Sequence, residues 1–298
     1  MHMDAGPGWE LYRSFLGVCR EGSLSAAAGV LDLTQPTVGR HIDALESALG
    51  IVLFTRSPQG FRPTDAAEAL RPYAESLEAA AMALLRTATG HATDVSGPVR
   101  ITASEMVATE VLPPMLVRLQ RAHPRLQVEL VATNRVEDLL NREADIAVRM
   151  VRPAQQALVA RRAGDIELGL FAHREYLAGR PVPKRVEDLQ GHALIGFDRE
   201  DASARSLMHL LGPVRRKSFT YRTDSHLAGY AALRAGAGIG ICQVPLAHRH
   251  PDLARLLPRQ VAPKMETWVT MHSDLRTSPR CRATFDALVE DLAAYCRS

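Results

Sequence analysis

Two helical patterns separated by a three-residue turn, "SLSAAAGVLDLTQPTVGRHIDALESAL", constrain what this chain can fold into more than any other stretch. In the first, Ala26, Ala27 and Ala28 lie near the centre, where small side chains let two helices cross closely. The second places Val38, Ile42, Leu45 and Leu49 on one stripe, the period of a helix with one buried face. Pro36 falls in its first turn, where a missing N–H needs no partner. Helix, short turn through Asp32 to Thr34, helix is the spacing of a helix-turn-helix. Upstream, "WELYRSFLGVCREGS" aligns Trp9, Tyr12, Phe15, Leu16 and Cys19; Gly22 ends that helix and Ser23 is placed to cap the next. Downstream, "GIVLFTRSPQGFRPT" reads as two short extended pieces around Ser57, Pro58, Gln59 and Gly60, a hairpin or wing.

Thr64 and Asp65 open a long alanine-rich helix in which Leu70, Leu77 and Leu84 recur every seventh residue, as do Ala67, Ala74 and Ala81. Pro72 is expected to bend its first turns. A helix of this length with no neighbouring core pairs with its own copy more often than it docks alone. Residues 64–93 are therefore expected to dimerise the chain, and "TGHATDVSGP" reads as a linker.

Beyond the linker the pattern changes to strands alternating with helices. "VRITA", "LQVELVA" and "DIAVRMV" read as strands, with "EMVATEVLPPMLVRLQRAHP" and "RVEDLLNREA" as the helices between them. "IELGLFAHREYLA", "HALIGFD", "HLAGYAALRAG" and "GIGICQVP" continue the rhythm, and "ETWVTMH" precedes the terminal helix "SPRCRATFDALVEDLAAYC". The alternation implies an α/β unit with a parallel sheet and right-handed crossovers.

With 298 residues the chain exceeds a single core, and its 46% hydrophobic and 23% charged residues are those of an ordinary soluble protein. No apolar run approaches the ~20 residues of a membrane span. "MHMDAGPGWE" has neither the cationic nor the apolar region of a secretory signal, so the cytoplasm is the expected location. Cys19, Cys242, Cys281 and Cys296 are scattered and form no CxxC pair, which leaves zinc and dithiol chemistry without a motif. Net charge is +3, yet residues 1–93 hold seven Arg and no Lys against ten Asp and Glu, a balance of −3. Any nucleic-acid contact must therefore be local.

"GSLSAAAGVLDLTQPTVGRHIDALESALGIVLFTR", with the later "TDAA", resembles the winged helix-turn-helix of LysR-type transcriptional regulators. "VLPPMLVRLQRAHPRLQVEL", "ADIAVR" and "RAGAGIGICQVP" follow in the order of that family's effector domain, so the resemblance spans about residues 9 to 292. Thr34, Thr37, Gly39 and Ala67 stand where relatives usually carry Ser, Ala, Ser and Gly. The resemblance implies an all-α winged helix-turn-helix over 1–63 and a linker helix over 64–93. It further implies an α/β effector domain over 94–298, shaped like a periplasmic binding protein. Its subdomain I would hold about 97–168 and 267–298, and subdomain II about 169–266. It also implies a transcription regulator, not an enzyme, working as a homotetramer on double-stranded promoter DNA. A small-molecule effector and RNA polymerase would be its further partners; cofactor, metal and membrane are not implied.

At the start of a recognition helix side chains reach base edges in the major groove. Gln35 suits adenine, Arg40 guanine or a phosphate, and the Thr37 methyl a thymine methyl. Thr34 and Gly39 share that face, and Arg56 and Arg62 flank the wing, within reach of phosphates or the minor groove. In open parallel sheets ligands sit beyond the carboxyl ends of the strands. Those junctions supply Ser104, Glu105, Thr133, Asn134, Arg149, Phe197, Asp198, Ser225 and His226 as effector-site candidates. Ser, Thr and Asn at such places also serve as N-caps. Glu105 and Asp198 suit an amine, Arg149 a carboxylate. "GAGIG" (236–240) follows a helix and enters a strand, the reverse of a dinucleotide loop, and reads as a helix C-cap and tight turn. His226 has no nucleophile placed beside it by sequence. Two rival readings, an exported solute-binding protein and an enzyme with an appended DNA-binding module, lack respectively an export signal and a catalytic constellation.

Overall fold

The computed structural model describes residues 6–57, 60–88, 94–134, 144–153, 158–199, 205, 208, 210–212 and 214–298. The chain divides after Ala88 into two compact units.

The first unit holds α1 (Trp9–Glu21), α2 (Leu24–Leu31), α3 (Gln35–Leu49), β1 (Phe54–Ser57), β2 (Gly60–Pro63) and α4 (Asp65–Ala88). Its helices start and stop where local chemistry directs. Gly22 ends α1 in the left-handed region, the Ser23 hydroxyl caps α2 through Ala26 N–H, and Thr34 caps α3. The core is the residue set that the periodicity picks out, Phe15, Leu16, Ala27, Val38, Ile42 and Leu45 among them. Glu46 joins α3 to the wing, its Oε1 accepting from Leu53 N (2.6 Å) and Phe54 N (3.1 Å). At Gly60 (φ +116°) a Cβ would lie 2.7 Å from the Gly22 carbonyl, so only glycine lets the wing strand pack against the turn after α1. Along α4, Ala67 and Ala74 are buried against this unit, while Leu77 and Leu84 are 40% and 69% exposed. Leu70 packs against the same core, so the leucine stripe turns outward only from Leu77 onward.

The second unit is a mixed sheet covered by helices. Its first half contains β3 (Gly97–Ala103), β4 (Leu126–Ala132) and β5 (Ile146–Arg149), with β3 parallel to both neighbours, and α5 (Leu112–Ala122) packed on it. A π-helical turn, Val107–Val111, precedes α5. The long strand β6 (Leu158–His173) carries the chain to the second half, followed by α6 (Arg174–Leu177), β7 (Leu194–Gly196), β8 (Phe219–Arg222), α7 (His226–Arg234), β9 (Ile239–Gln243), α8 (Val244–Ala247) and β10 (Leu253–Leu256). Strand β11 (Lys264–His272) brings it back, and α9 (Pro279–Arg297) closes the first core. The strand order is β4-β3-β5-β11-β6-β9-β7-β8, with β10 beside β6.

The parallel pairing expected from the rhythm holds among β3, β4 and β5, and among β7, β8 and β9, but does not extend to the strands that link the two halves. β6, β10 and β11 pair antiparallel, because β6 leaves the first half and β11 returns to it in the opposite direction. Strand β6 pairs with β11 up to Glu167 and with β9 from Leu168 onward. The helix expected over "RVEDLLNREA" lies outside the described residues for all but its last residue, as does the linker stretch 89–93. In "GAGIG", Gly236 takes φ +76° after α7, and a Cβ on Gly238 would fall 2.4 Å from the Ala193 carbonyl, as a C-cap and tight turn require.

Candidate nucleic-acid interface and ligand cavity

The start of α3 presents one polar surface. Thr34, Gln35 and Arg40 are exposed and Thr37 and Gly39 half-buried, around the buried stripe of Val38, Ile42 and Leu45. The Thr37 hydroxyl lies 2.8 Å from that of Thr34 and accepts from Arg40 Nη2 at 3.4 Å, so the small hydroxyls are engaged with each other. At the opposite edge of α3, His41 Nδ1 meets the fully buried Ser14 hydroxyl at 2.7 Å and ties the helix to α1. Arg62 is exposed on β2, paired in register with Thr55. The backbone of Arg56 pairs with Phe61, and its side chain lies outside the described residues.

In the second unit a cavity of about 400 Å³ lies where the two halves of the sheet meet. Six of the nine junction residues line it: Ser104, Asn134, Arg149, Phe197, Ser225 and His226. Arg149 is 8% exposed; its Nη2 donates to Thr102 Oγ1 (2.9 Å) and its Nη1 to the Val148 carbonyl (3.1 Å). His226 stands edge-on to Phe197, with ring centroids 5.8 Å apart. Ser225 also does structural work, capping α7 through Ala228 N–H at 3.3 Å.

Glu105, Thr133 and Asp198 are not among the described lining. The backbone N–H of Glu105 donates to Asn134 Oδ1, and that of Thr133 to the Ala103 carbonyl. The Asp198 carboxylate accepts from Arg216 at 2.7 Å, while Asp224 accepts from the N–H groups of Asp198 and Arg199. Asp198 and Asp224 thus hold loops of the second half together.

Three hydroxyl or amide side chains of the lining, Thr223, Tyr230 and Gln243, lie outside the predicted junction residues. Tyr230 sits one turn into α7, on the same face as His226 (i, i+4), so following that face inward from the capped end finds it. Gln243 ends the apolar strand β9 and immediately precedes Val244, the first residue of α8, itself a strand-to-helix junction. Gln243 Oε1 accepts a 2.7 Å hydrogen bond from Tyr295 Oη of α9, which belongs to the first core. Arg249 adds a second tie, donating to the Glu110 carbonyl at 2.6 Å with its guanidinium 5.6 Å from the Tyr295 ring. The remaining wall is mostly aliphatic and aromatic, as in sites for molecules with a sizeable apolar body. Cys242 also lines it, but burial pushes its thiol up to about 12, which removes thiolate reactivity near neutral pH. Among the described residues no group of three or more His, Cys, Asp or Glu is placed to hold a metal ion.

Comparison with known proteins matches residues 9–68 to "Bacterial regulatory helix-turn-helix protein, lysR family" and residues 92–293 to "LysR substrate binding domain". The probable HTH-type transcriptional regulator LtrA of Klebsiella pneumoniae is 26% identical over 292 residues, covering 94% of this chain and 93% of its own. The regulator PtxR of Pseudomonas aeruginosa is 27% identical over 295 residues, covering 94% and 91%. Full-length CbnR complexed with its target DNA superimposes with a TM-score of 0.67 at 23% identity, over 97% of this chain and 99% of that one.

Proposed function

The chain belongs to the LysR family of transcriptional regulators, and from that premise we propose which of its residues read DNA, which hold the effector and how it assembles. As a family member it is a DNA-binding regulator with an effector-binding domain, and not an enzyme. In our assignment Gln35, Thr37 and Arg40 contact base edges, Thr34 and Gly39 allow close approach, and Arg56 and Arg62 meet phosphates or the minor groove. The observation that supports this most is the polar surface at the start of α3, exposed while the rest of the helix is locked by Val38, Ile42 and Leu45. Thr37, its hydroxyl engaged with Thr34, offers its methyl as the contacting group.

We assign the effector to the cavity lined by Ser104, Asn134, Arg149, Phe197, Ser225 and His226. The subdomains are taken as 97–168 with 267–298, and 169–266. Exposed Leu77 and Leu84 on α4 support pairing of two chains through residues 64–93, and two such pairs make the tetramer. RNA polymerase is the expected partner at the promoter. The cytoplasm is the expected location, in keeping with a DNA-binding role; no helix of the described residues is long and apolar enough to cross a membrane.

Gel shift with the DNA upstream of the protein's own coding region, at low and high salt, tests the DNA assignment. Gln35→Ala and Arg40→Ala should each cost ~1–3 kcal/mol on the native site and relax discrimination between sequences. Arg62→Ala should weaken every sequence alike and lower the salt slope by about one. Equal losses on all sequences for Gln35→Ala would remove it from the base-reading set.

A further inference from the structure

We propose that Tyr230 is a ligand-recognition group of the cavity, and that the effector is an apolar-bodied molecule presenting a hydrogen-bond-accepting carboxylate or carboxamide oxygen, not an amine. This rests on the cavity being the effector site and deepens that reading.

Tyr230 lines the cavity at 5% exposure, and its Oη is buried with no hydrogen-bond partner among the described residues. The ring is fixed on both sides, edge-on to His250 (centroids 5.9 Å apart) and 5.6 Å from the Arg234 guanidinium. A buried hydroxyl without a partner carries its full desolvation penalty, so a native fold that retains one asks what pairs with it. Burial also pushes this phenol up to about 12, so it keeps its proton, and with it a donor to offer an oxygen acceptor, throughout the physiological range.

The charge of the wall points the same way. No Asp or Glu is found among its described lining residues, whereas Arg149 is. An ammonium ion would enter beside a guanidinium with no described carboxylate to meet it, which is unfavourable in a desolvated site. Leu168, Ile195, Phe197, Ile241 and Leu246 supply the apolar contact for the body of the ligand.

The test uses the full chain with two matched probe triplets: 3-phenylpropionate, 3-phenylpropionamide and 3-phenylpropylamine, and octanoate, octanamide and octylamine. Binding is read by calorimetry and melting temperature in wild type, Tyr230→Phe and Ile241→Trp, the last filling the cavity. The expected result is binding of an acid or amide, with the matching amine at least about tenfold weaker. Acid above amide marks the accepting group as a carboxylate, and amide above acid as a neutral carbonyl; both support the proposal. Tyr230→Phe should weaken the acid or amide about tenfold while raising the melting temperature of the free protein, because the orphan hydroxyl is gone. A residue with only a structural role would leave ligand affinity unchanged. Amines binding as tightly as acids, no binding by any acid or amide, or wild-type affinity in Tyr230→Phe would each overturn the proposal. If Tyr230→Phe binds normally and Ile241→Trp does not bind, the Tyr230 proposal fails and the effector site stands. Binding that survives Ile241→Trp instead contradicts the effector-site reading itself.

Discussion

Gly39 sits inside α3, where a glycine costs about 1 kcal/mol relative to alanine. A Cβ there would meet only Leu24 Cδ1, at 3.7 Å, which is ordinary contact, so nothing described within the unit requires glycine. On our reading the demand for a small residue comes from DNA approaching the helix backbone. Gly39→Ala should therefore raise the stability of the free protein by about 1 kcal/mol in a denaturant titration. Gly39→Leu should keep helix content and melting temperature while abolishing the gel shift on the upstream DNA. A Gly39→Leu protein that binds like wild type would show that the glycine is merely tolerated. The exposed start of α3 was legible because turn chemistry marks where the helix begins and the buried stripe marks which residues it keeps inside. The cavity was legible only in part. Strand ends located Ser104, Asn134 and Arg149, but the same rule offered Glu105 and Asp198, and only packing decides which junction side chains turn inward. Tyr230 was missed because it lies within a helix and not at its start.

Among the elements, α4 carries two stripes that the sequence could not tell apart, since both repeat every seven residues. Alanine at positions 67 and 74 lets the helix approach its own winged unit closely, whereas the leucines at 77 and 84 project outward. We attribute the outward leucines to pairing with a second chain. Leu77→Lys combined with Leu84→Lys should convert dimer or tetramer to monomer in sedimentation, with helix content retained. Ala74→Leu should act differently, overpacking a buried contact at a cost of about 1–3 kcal/mol without changing the oligomeric state of the folded fraction. An unchanged sedimentation coefficient in the double lysine variant would move the pairing surface elsewhere. The strands show where periodicity runs out. The first residues of β6, "LVARRAGD", are half-exposed and mix charge with apolar residues, so neither strict alternation nor an apolar run marks them. β8 and β10 are four residues each, too short for a period to register.

At the scale of the whole molecule, we propose that occupancy of the cavity changes how the assembled protein engages its promoter. Two hydrogen bonds, Tyr295 to Gln243 and Arg249 to the Glu110 carbonyl, join the halves of the effector domain beside that cavity. A ligand shifts such an arrangement only by as much as it prefers one form over another. A ligand that binds only folded protein raises the melting temperature, so a thermal-shift screen of metabolites picks out candidate effectors by the protein's own response. The most direct measurement is then a DNase footprint on the upstream DNA, with and without the ligand from that screen, for wild type and Ile241→Trp. The ligand should lengthen, shorten or shift the footprint in wild type and leave it untouched in Ile241→Trp. A footprint indifferent to every ligand that stabilises the protein, or altered equally in Ile241→Trp, would contradict the proposal.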